Sequence, residues 1–424
     1  MLGRALSRKL NRNVSRNVSR AETNRRMLFA SAFLRALATG LLGVELGLYL
    51  THFDLGAARV GAIIGAGLVG AATAALLATL GADRFGRRRT LLTLTLLGSA
   101  GCLLAALVTS FAALAAAAFA GMLNGMGRDR GAALVVEQAM LPSTTSDQGR
   151  TSAFALYNVA QDLGHAFGSL MAGLPTLLVA LGYGSALDAH RATMLIAAVV
   201  TLAPLPLYLR LGESVEAPRA SDPDAPAAPR LTPESRRILV RISALFAVDS
   251  LAGGLLVTSL LSYFFFERFG ATEATIGALF FGARLLNALS HLGAAWLAKR
   301  IGLVNTMVFT HIPSSLLLMT VAWAPTFPIA AVLFLLREGL VEMDVPTRQS
   351  YVLAVVRPEE ATTASGVTNL VRLAAWAVGP ALAGAAMQSA SLVAPLVVGA
   401  GMKIAYDLLL WRALRGVKPP EERD

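Results

Sequence analysis

The runs Leu91–Ser110, Met194–Leu211 and Leu392–Trp411 are apolar almost from end to end. A helix rises about 1.5 Å per residue, so about 20 such residues cross the roughly 30 Å hydrocarbon layer of a bilayer. A soluble fold would need a charged surface to hide runs of this length. Only 15% of the 424 residues are charged and 55% are hydrophobic, against about 25% charged in ordinary globular chains. The runs do not alternate apolar with polar residues, so they read as helices and not as barrel strands. An all-α, polytopic membrane protein is expected.

Spans are placed near 27–50, 60–80, 90–110, 112–141, 152–174, 192–211, 239–266, 276–298, 306–323, 327–356, 364–388 and 391–412, twelve in all. Of the 37 Lys and Arg residues, 26 fall in the N-terminal arm, the segment Arg210–Arg241 around the connector, the tail from Arg412 and the loops on that same side. Three (Arg59, Arg191, Arg268) fall in the opposite loops, and eight lie inside spans. The positive-inside rule then puts both termini and the connector in the cytoplasm, and the inner (plasma) membrane is the expected location. It also accounts for the net charge of +11 without nucleic acid as a partner. Leu28–Leu50 is too long for a signal-peptide core and reads as a span. The arm before it, with its tandem Asn-Val-Ser-Arg at Asn13–Arg16 and Asn17–Arg20, is expected to rest on anionic lipid headgroups.

The connector carries Pro218, Pro223, Pro226, Pro229 and Pro233, a composition that favours extended chain. The expected organisation is an arm (1–26), a six-helix bundle (27–211), a linker (212–238), a second six-helix bundle (239–412) and a tail (413–424). The bundles are related by sequence. A shift of about 216 positions pairs Phe53 with Phe269, Gly61 with Gly277, Arg84 with Arg300, Gly86 with Gly302 and Pro142 with Pro358. Past Pro142 the register slips, and Asn158 meets Asn369. Such parallel repeats are common in secondary transporters.

Between spans two and three stands Asp83-Arg84-Phe85-Gly86-Arg87-Arg88-Arg89, with a degenerate copy, Lys299-Arg300-Ile301-Gly302, at the repeat-related place. This loop resembles the signature of the major facilitator superfamily, with Thr79 standing where that family usually has glycine. The resemblance implies two pseudo-symmetric six-helix bundles and a solute carrier, with spans one, four, seven and ten around a central cavity. Asp83, Arg84, Gly86, Arg87 and Arg88 form its cytoplasmic latch: Gly86 allows the sharp turn and the arginines anchor to headgroups.

Charge at the bilayer centre costs about 2.5–3.5 kcal/mol per residue on insertion scales, so intramembrane charges should face a cavity or a partner. The basic set is Arg35, Arg128, Arg130, Arg284, Arg337, Arg348, Arg372 and Lys403; the acidic set is Glu45, Asp129, Glu137, Asp162, Asp249, Glu338, Glu342, Asp344 and Asp407. From these, Arg35, Glu45, Arg128, Asp129, Asp162, Asp249, Arg284, Arg337, Glu342, Asp344, Arg348 and Arg372 are the substrate or coupling candidates. Arg128, Asp129 and Arg130, read as helical, fan over about 200°. The repeat sets Arg128 against Asp344 as a cross-bundle pair, and Asp344 can also pair with Arg348 one turn on. Glu137 is placed at the cytoplasmic end of span four, reaching the interface.

An acid that loses its arginine partner during alternating access would take up a proton, so H⁺ is the expected coupling ion. No cofactor is expected, and no metal, since Cys102 is alone and the five histidines show no ligand spacing. No catalytic motif is present, so the chain is not expected to be an enzyme. The preferred reading is a monomeric, proton-coupled carrier of a small organic solute, with export by antiport ahead of import of an organic anion by symport. A lipid-handling or receptor-like protein on the same fold is the reading from another class.

Overall fold

The computed structural model describes residues 2–145, 150–216, 232–343 and 361–414, and these form helices and short turns with no strand among them. The first half contributes α1 (Leu2–Leu50), α2 (Ala57–Phe85), α3 (Arg87–Leu107), α4 (Phe111–Gly121), α5 (Ala132–Met140), α6 (Arg150–Met171), α7 (Leu174–Ala180), α8 (Ala186–Leu202) and α9 (Leu205–Arg210). The second contributes α10 (Pro233–Gly254), α11 (Thr258–Phe269), α12 (Glu273–Ile301), α13 (Leu303–Ala322), α14 (Phe327–Val341), α15 (Ala361–Ser389) and α16 (Ala394–Leu414). Most of the 212–238 connector and the tail beyond 414 lie outside the described residues, as do Asp344 and Arg348.

Among the described residues, nine stretches, from Arg20–Phe53 to Ala394–Ala413, are long and apolar enough to cross a membrane. The chain is therefore membrane-embedded and multi-pass. Twelve crossings would require three further segments, and the described parts of spans four, eight and ten depart from a long apolar helix in different ways. The residues read as span four are divided into α4 and α5, α14 ends at Val341, and α12 is long but carries Arg284 and Asn287. Polarity and breaks are thus concentrated where spans four, eight and ten were expected.

The repeat is visible in the helix boundaries. Helices α2 and α12 begin and end 216 positions apart, as do the starts of α3 and α13 and of α4 and α14. Gly86 and Gly302, which join the first two pairs, have φ of 103° and 84°. That left-handed region admits glycine at no steric cost, and it lets two long helices meet at a sharp corner.

Packing differs between the two ends of the molecule. At the end bearing the Thr51–Phe53 turn, a single apolar core runs through both halves, joining Tyr49, Ile63 and Leu114 to Leu260, Phe265 and Phe334. Helices approach closely there: a Cβ on Gly61 would meet the Pro380 carbonyl and Gly384 backbone, and one on Gly47 would meet the Ser259 carbonyl. Small residues allow this approach, which in a membrane is held by dispersion and not by a hydrophobic drive. Toward the other end the buried apolar residues divide. One cluster gathers Leu28, Tyr157 and Tyr208, and another gathers Leu239, Phe246 and Leu410. The halves are closed together at one end and have separate cores at the other.

Candidate functional site

Residues 122–131 are not helical as read from the sequence. They leave α4 through Met122 (φ 53°), pass Gly127 (φ 70°) and re-enter helix at Ala132. Gly121, Gly125, Gly127 and Gly131 supply the freedom, and the loosened backbone is bonded from several sides. Asn124 Nδ2 donates to the Arg128 carbonyl at 2.8 Å, the Asp129 N–H to His165 Nε2 at 2.9 Å, and Thr258 Oγ1 to the Met126 carbonyl at 2.8 Å. Non-helical backbone at membrane depth survives only where protein or a cavity satisfies it. The fan argument for Arg128, Asp129 and Arg130 therefore fails, since the three do not stand on a helix. They point to separate partners.

The break faces a cavity of about 110 Å³. Among the described residues its lining holds Arg128, Arg130, Arg284, Arg337, Arg372 and Lys403, with Asp249, Glu338, Glu342 and His311. Arg128 crosses from the first half to the second: its Nη1 lies 2.9 Å from Glu342 Oε2, and its Nη2 donates to Asn287. Asn287 in turn donates to Glu338 Oε2 at 2.7 Å, and Glu338 pairs with Arg337. Arg130 and Arg372 lie over the Trp376 indole, 4.3 and 5.0 Å from its centroid. Arg284 donates to Thr258 Oγ1 at 3.0 Å.

A chain of buried groups leads away from the cavity into the second half. Lys403 Nζ donates to Asp249 Oδ1 at 2.8 Å and stands 3.3 Å from His311 Nε2; His311 Nδ1 is 2.9 Å from Asp407 Oδ1. Ammonium can only donate, so His311 Nε2 accepts and Nδ1 carries the hydrogen given to Asp407. Asp407 is 1% exposed.

The first half holds a second network away from this cavity. Arg35 reaches Asp129 at 2.7 Å, Glu137 at 2.9 Å and the Tyr157 hydroxyl at 3.0 Å. Tyr157 and Tyr208 donate to Glu137 at 2.7 and 2.5 Å. Glu137 is fully buried, not at the interface as its position along the chain implied. Nearer the closed end, His190 Nδ1 lies 2.6 Å from Glu45 Oε1, and its Nε2 lies 3.6 Å from Glu273 of the second half.

Of the twelve candidates read from the sequence, Arg128, Asp249, Arg284, Arg337, Glu342 and Arg372 share the cavity. Arg35 and Asp129 belong to the first-half network and Glu45 to the closed end. Asp162 stands within electrostatic reach of Arg128 and Arg284. Arg128 pairs with Glu342, while its expected partner Asp344 and the Asp344–Arg348 pair fall outside the described residues. Lys403 and Asp407 were read as intramembrane charges but not as candidates, and His311, Trp376 and Thr258 were not singled out. Lys403 and Asp407 are four apart on α16, a spacing that pairs side chains, but His311 on α13 lies between them.

The signature loop is held from three directions. Arg87 Nε donates to Asp83 at 2.7 Å and its Nη1 to the Ala139 carbonyl at 3.0 Å. Glu216 caps α3, accepting from the backbone N–H of Arg87 and of Arg88 at 2.7 and 3.0 Å. A carboxylate at a helix N-terminus offsets orphan N–H groups and the positive end of the dipole.

A family model described as Major Facilitator Superfamily matches residues 28–380. The chain belongs to that superfamily. An uncharacterized membrane protein of Saccharomyces cerevisiae is 26% identical over 430 residues, covering 94% of this chain and 95% of its own. The crystal structure of the nucleoside transporter NupG superposes with a TM-score of 0.70 at 14% identity, covering 92% of this chain and 98% of that one. The inward-open xylose transporter XylE of E. coli gives 0.69 at 12% identity, covering 94% and 98%. A superfamily member with this fold is a membrane transporter, a class distinct from enzymes.

Proposed function

We propose that the protein is a proton-coupled secondary transporter that moves a small solute through the central cavity by alternating access. It would sit in the inner membrane with both termini cytoplasmic. One observation carries this reading: a charged cavity at a broken helix is shared by both halves, and an ion pair, Arg128–Glu342 at 2.9 Å, spans it. Substrate sites of such carriers lie where discontinuous helices of the repeats meet. A pair joining the halves can part when they rock, whereas a covalent or apolar seal could not exchange partners with a solute.

The Asp249–Lys403–His311–Asp407 chain supports the coupling half of the proposal. While Lys403 sits between them, it neutralises Asp249 and occupies the accepting nitrogen of His311. A solute or helix movement that withdraws Lys403 would leave a lone carboxylate and an open imidazole nitrogen, both able to receive a proton. Chains of Asp, His and their partners serve as proton relays in membrane carriers. Proton antiport and symport can both run on this geometry.

The test is transport in proteoliposomes carrying a pH-sensitive dye, run against sugars, drugs and organic acids. Asp407→Asn is expected to keep solute counterflow and to lose at least about tenfold of proton-driven accumulation, a 1.4 kcal/mol effect. Full accumulation in both Asp407→Asn and Asp249→Asn would place the coupling proton elsewhere. Redistribution of phospholipid with no solute movement would remove the carrier reading itself.

A further inference from the structure

Arg284 is a buried cation with no ionic partner among the described residues. It is 8% exposed, its Nη2 donates to the neutral hydroxyl of Thr258, and its Nε has no hydrogen-bond partner. The guanidinium is pressed against the helix break: a Cβ on Gly127 would come within 2.9 Å of Nη2 and 2.7 Å of Thr258 Oγ1. Arg284 thus occupies the seam between the halves, on the wall of the cavity.

The acids around it are already engaged. Glu342 faces Arg128, Glu338 faces Arg337 and Asp249 faces Lys403. Asp162 adds a more distant negative charge near Arg128 and Arg284. Trp376 offers Arg130 and Arg372 an electron-rich face, which attracts cations but carries no net charge. Among the described residues, Arg284 itself has only the Thr258 hydroxyl. Water alone offsets a buried guanidinium poorly at membrane depth, because charge removed from bulk solvent is stable only when paired and hydrogen-bonded.

We infer that the cargo is a small organic anion, a carboxylate, whose charge is received by Arg284. This rests on the transporter reading above and names the substrate class of the same site. A guanidinium presents its donors as a planar fork that matches a carboxylate in two parallel bonds. Thr258, itself anchored on the Met126 carbonyl at 2.8 Å, holds the fork's orientation. The cavity, at about 110 Å³, is smaller than the roughly 150 Å³ void that admits benzene. The size fits a short aliphatic acid. Bringing the anion to Arg284 supplies the missing counter-charge at the point where the two halves meet, so binding and closure of the seam are linked.

The experiment is calorimetry on the full chain in nanodiscs, with lactate, succinate, inorganic phosphate, glucose and tetramethylammonium as probes. Lactate or succinate is expected to bind, and glucose and tetramethylammonium are not. Arg284→Gln is expected to weaken the carboxylate at least tenfold, and Arg284→Lys severalfold, because the charge stays but the fork is lost. Should Arg284→Gln fail to fold, the lysine variant decides: unchanged affinity overturns the assignment. So does binding of glucose or tetramethylammonium without any anion. Tighter binding of phosphate than of either acid retains the anion and overturns the carboxylate. Anion binding without movement into vesicles would leave this site standing and remove the transport proposal, whereas transport of a neutral or cationic solute would do the reverse.

Discussion

Arg35 holds the first-half network together, with two carboxylates and a phenol on one guanidinium. Removing one partner of a buried ion pair costs about 3–5 kcal/mol, because the other charge is left in low dielectric. Arg35→Met is therefore expected to lower unfolding stability in mixed micelles by that amount. A loss under about 1 kcal/mol would mean the acids there are not relying on it. Arg128 and Glu342 form a different kind of contact, one between halves. Neutralising each singly and both together should show a coupling of about 0.5–3 kcal/mol in unfolding; additive losses would mean that the side chains do not meet. Most intramembrane charges were legible as residues, because charge inside an apolar run is conspicuous. Their partners were not. Glu137 was assigned to the interface by counting along an unbroken helix, but residues 122–131 do not advance by the helical rise, so depth counted that way is wrong beyond the break.

Helix boundaries were legible wherever the signal was hydropathy plus a turn residue. Gly86 was read as a sharp turn and Gly302 as its repeat-related match, and both have positive φ. The break in span four was not seen, although Gly121, Gly125, Gly127 and Gly131 stand in plain view. An apolar window averages over glycine and carries a helix through it, and no hydropathy value reports a left-handed φ. Gly127→Ala tests the break directly. A non-glycine residue in the left-handed region costs roughly 1–2 kcal/mol, and here the added Cβ would also meet Thr258 and Arg284. The variant should lose stability by at least that amount. An unchanged midpoint in mixed-micelle unfolding would mean that residue 127 does not take this conformation.

The repeat, the charge asymmetry and the superfamily were all readable in the chain, because each is a long-range pattern summed over many weak positions. What the halves do relative to one another was not, since closure depends on small-residue contacts such as Gly61 with Pro380 and Gly384. The proposed orientation has its own test. In a Cys102→Ala background, Glu213→Cys is expected to react with an impermeant maleimide only from the cytoplasmic face, and Asp54→Cys only from the outer face. Labelling of both from one face would invert or break the topology. Rocking is the central claim, and the end bearing Thr51–Phe53 is where it is most exposed to measurement. The Ala58 N–H donates to Gln388 Oε1 at 3.0 Å there, joining α2 to α15. Spin labels at Ala58→Cys and Gln388→Cys, in the same background and in nanodiscs, give the distance across that seam by pulsed electron resonance. The account predicts two populations, one short as seen here and one longer, whose ratio shifts when pH is lowered or succinate is added. A single short distance under every condition would contradict it.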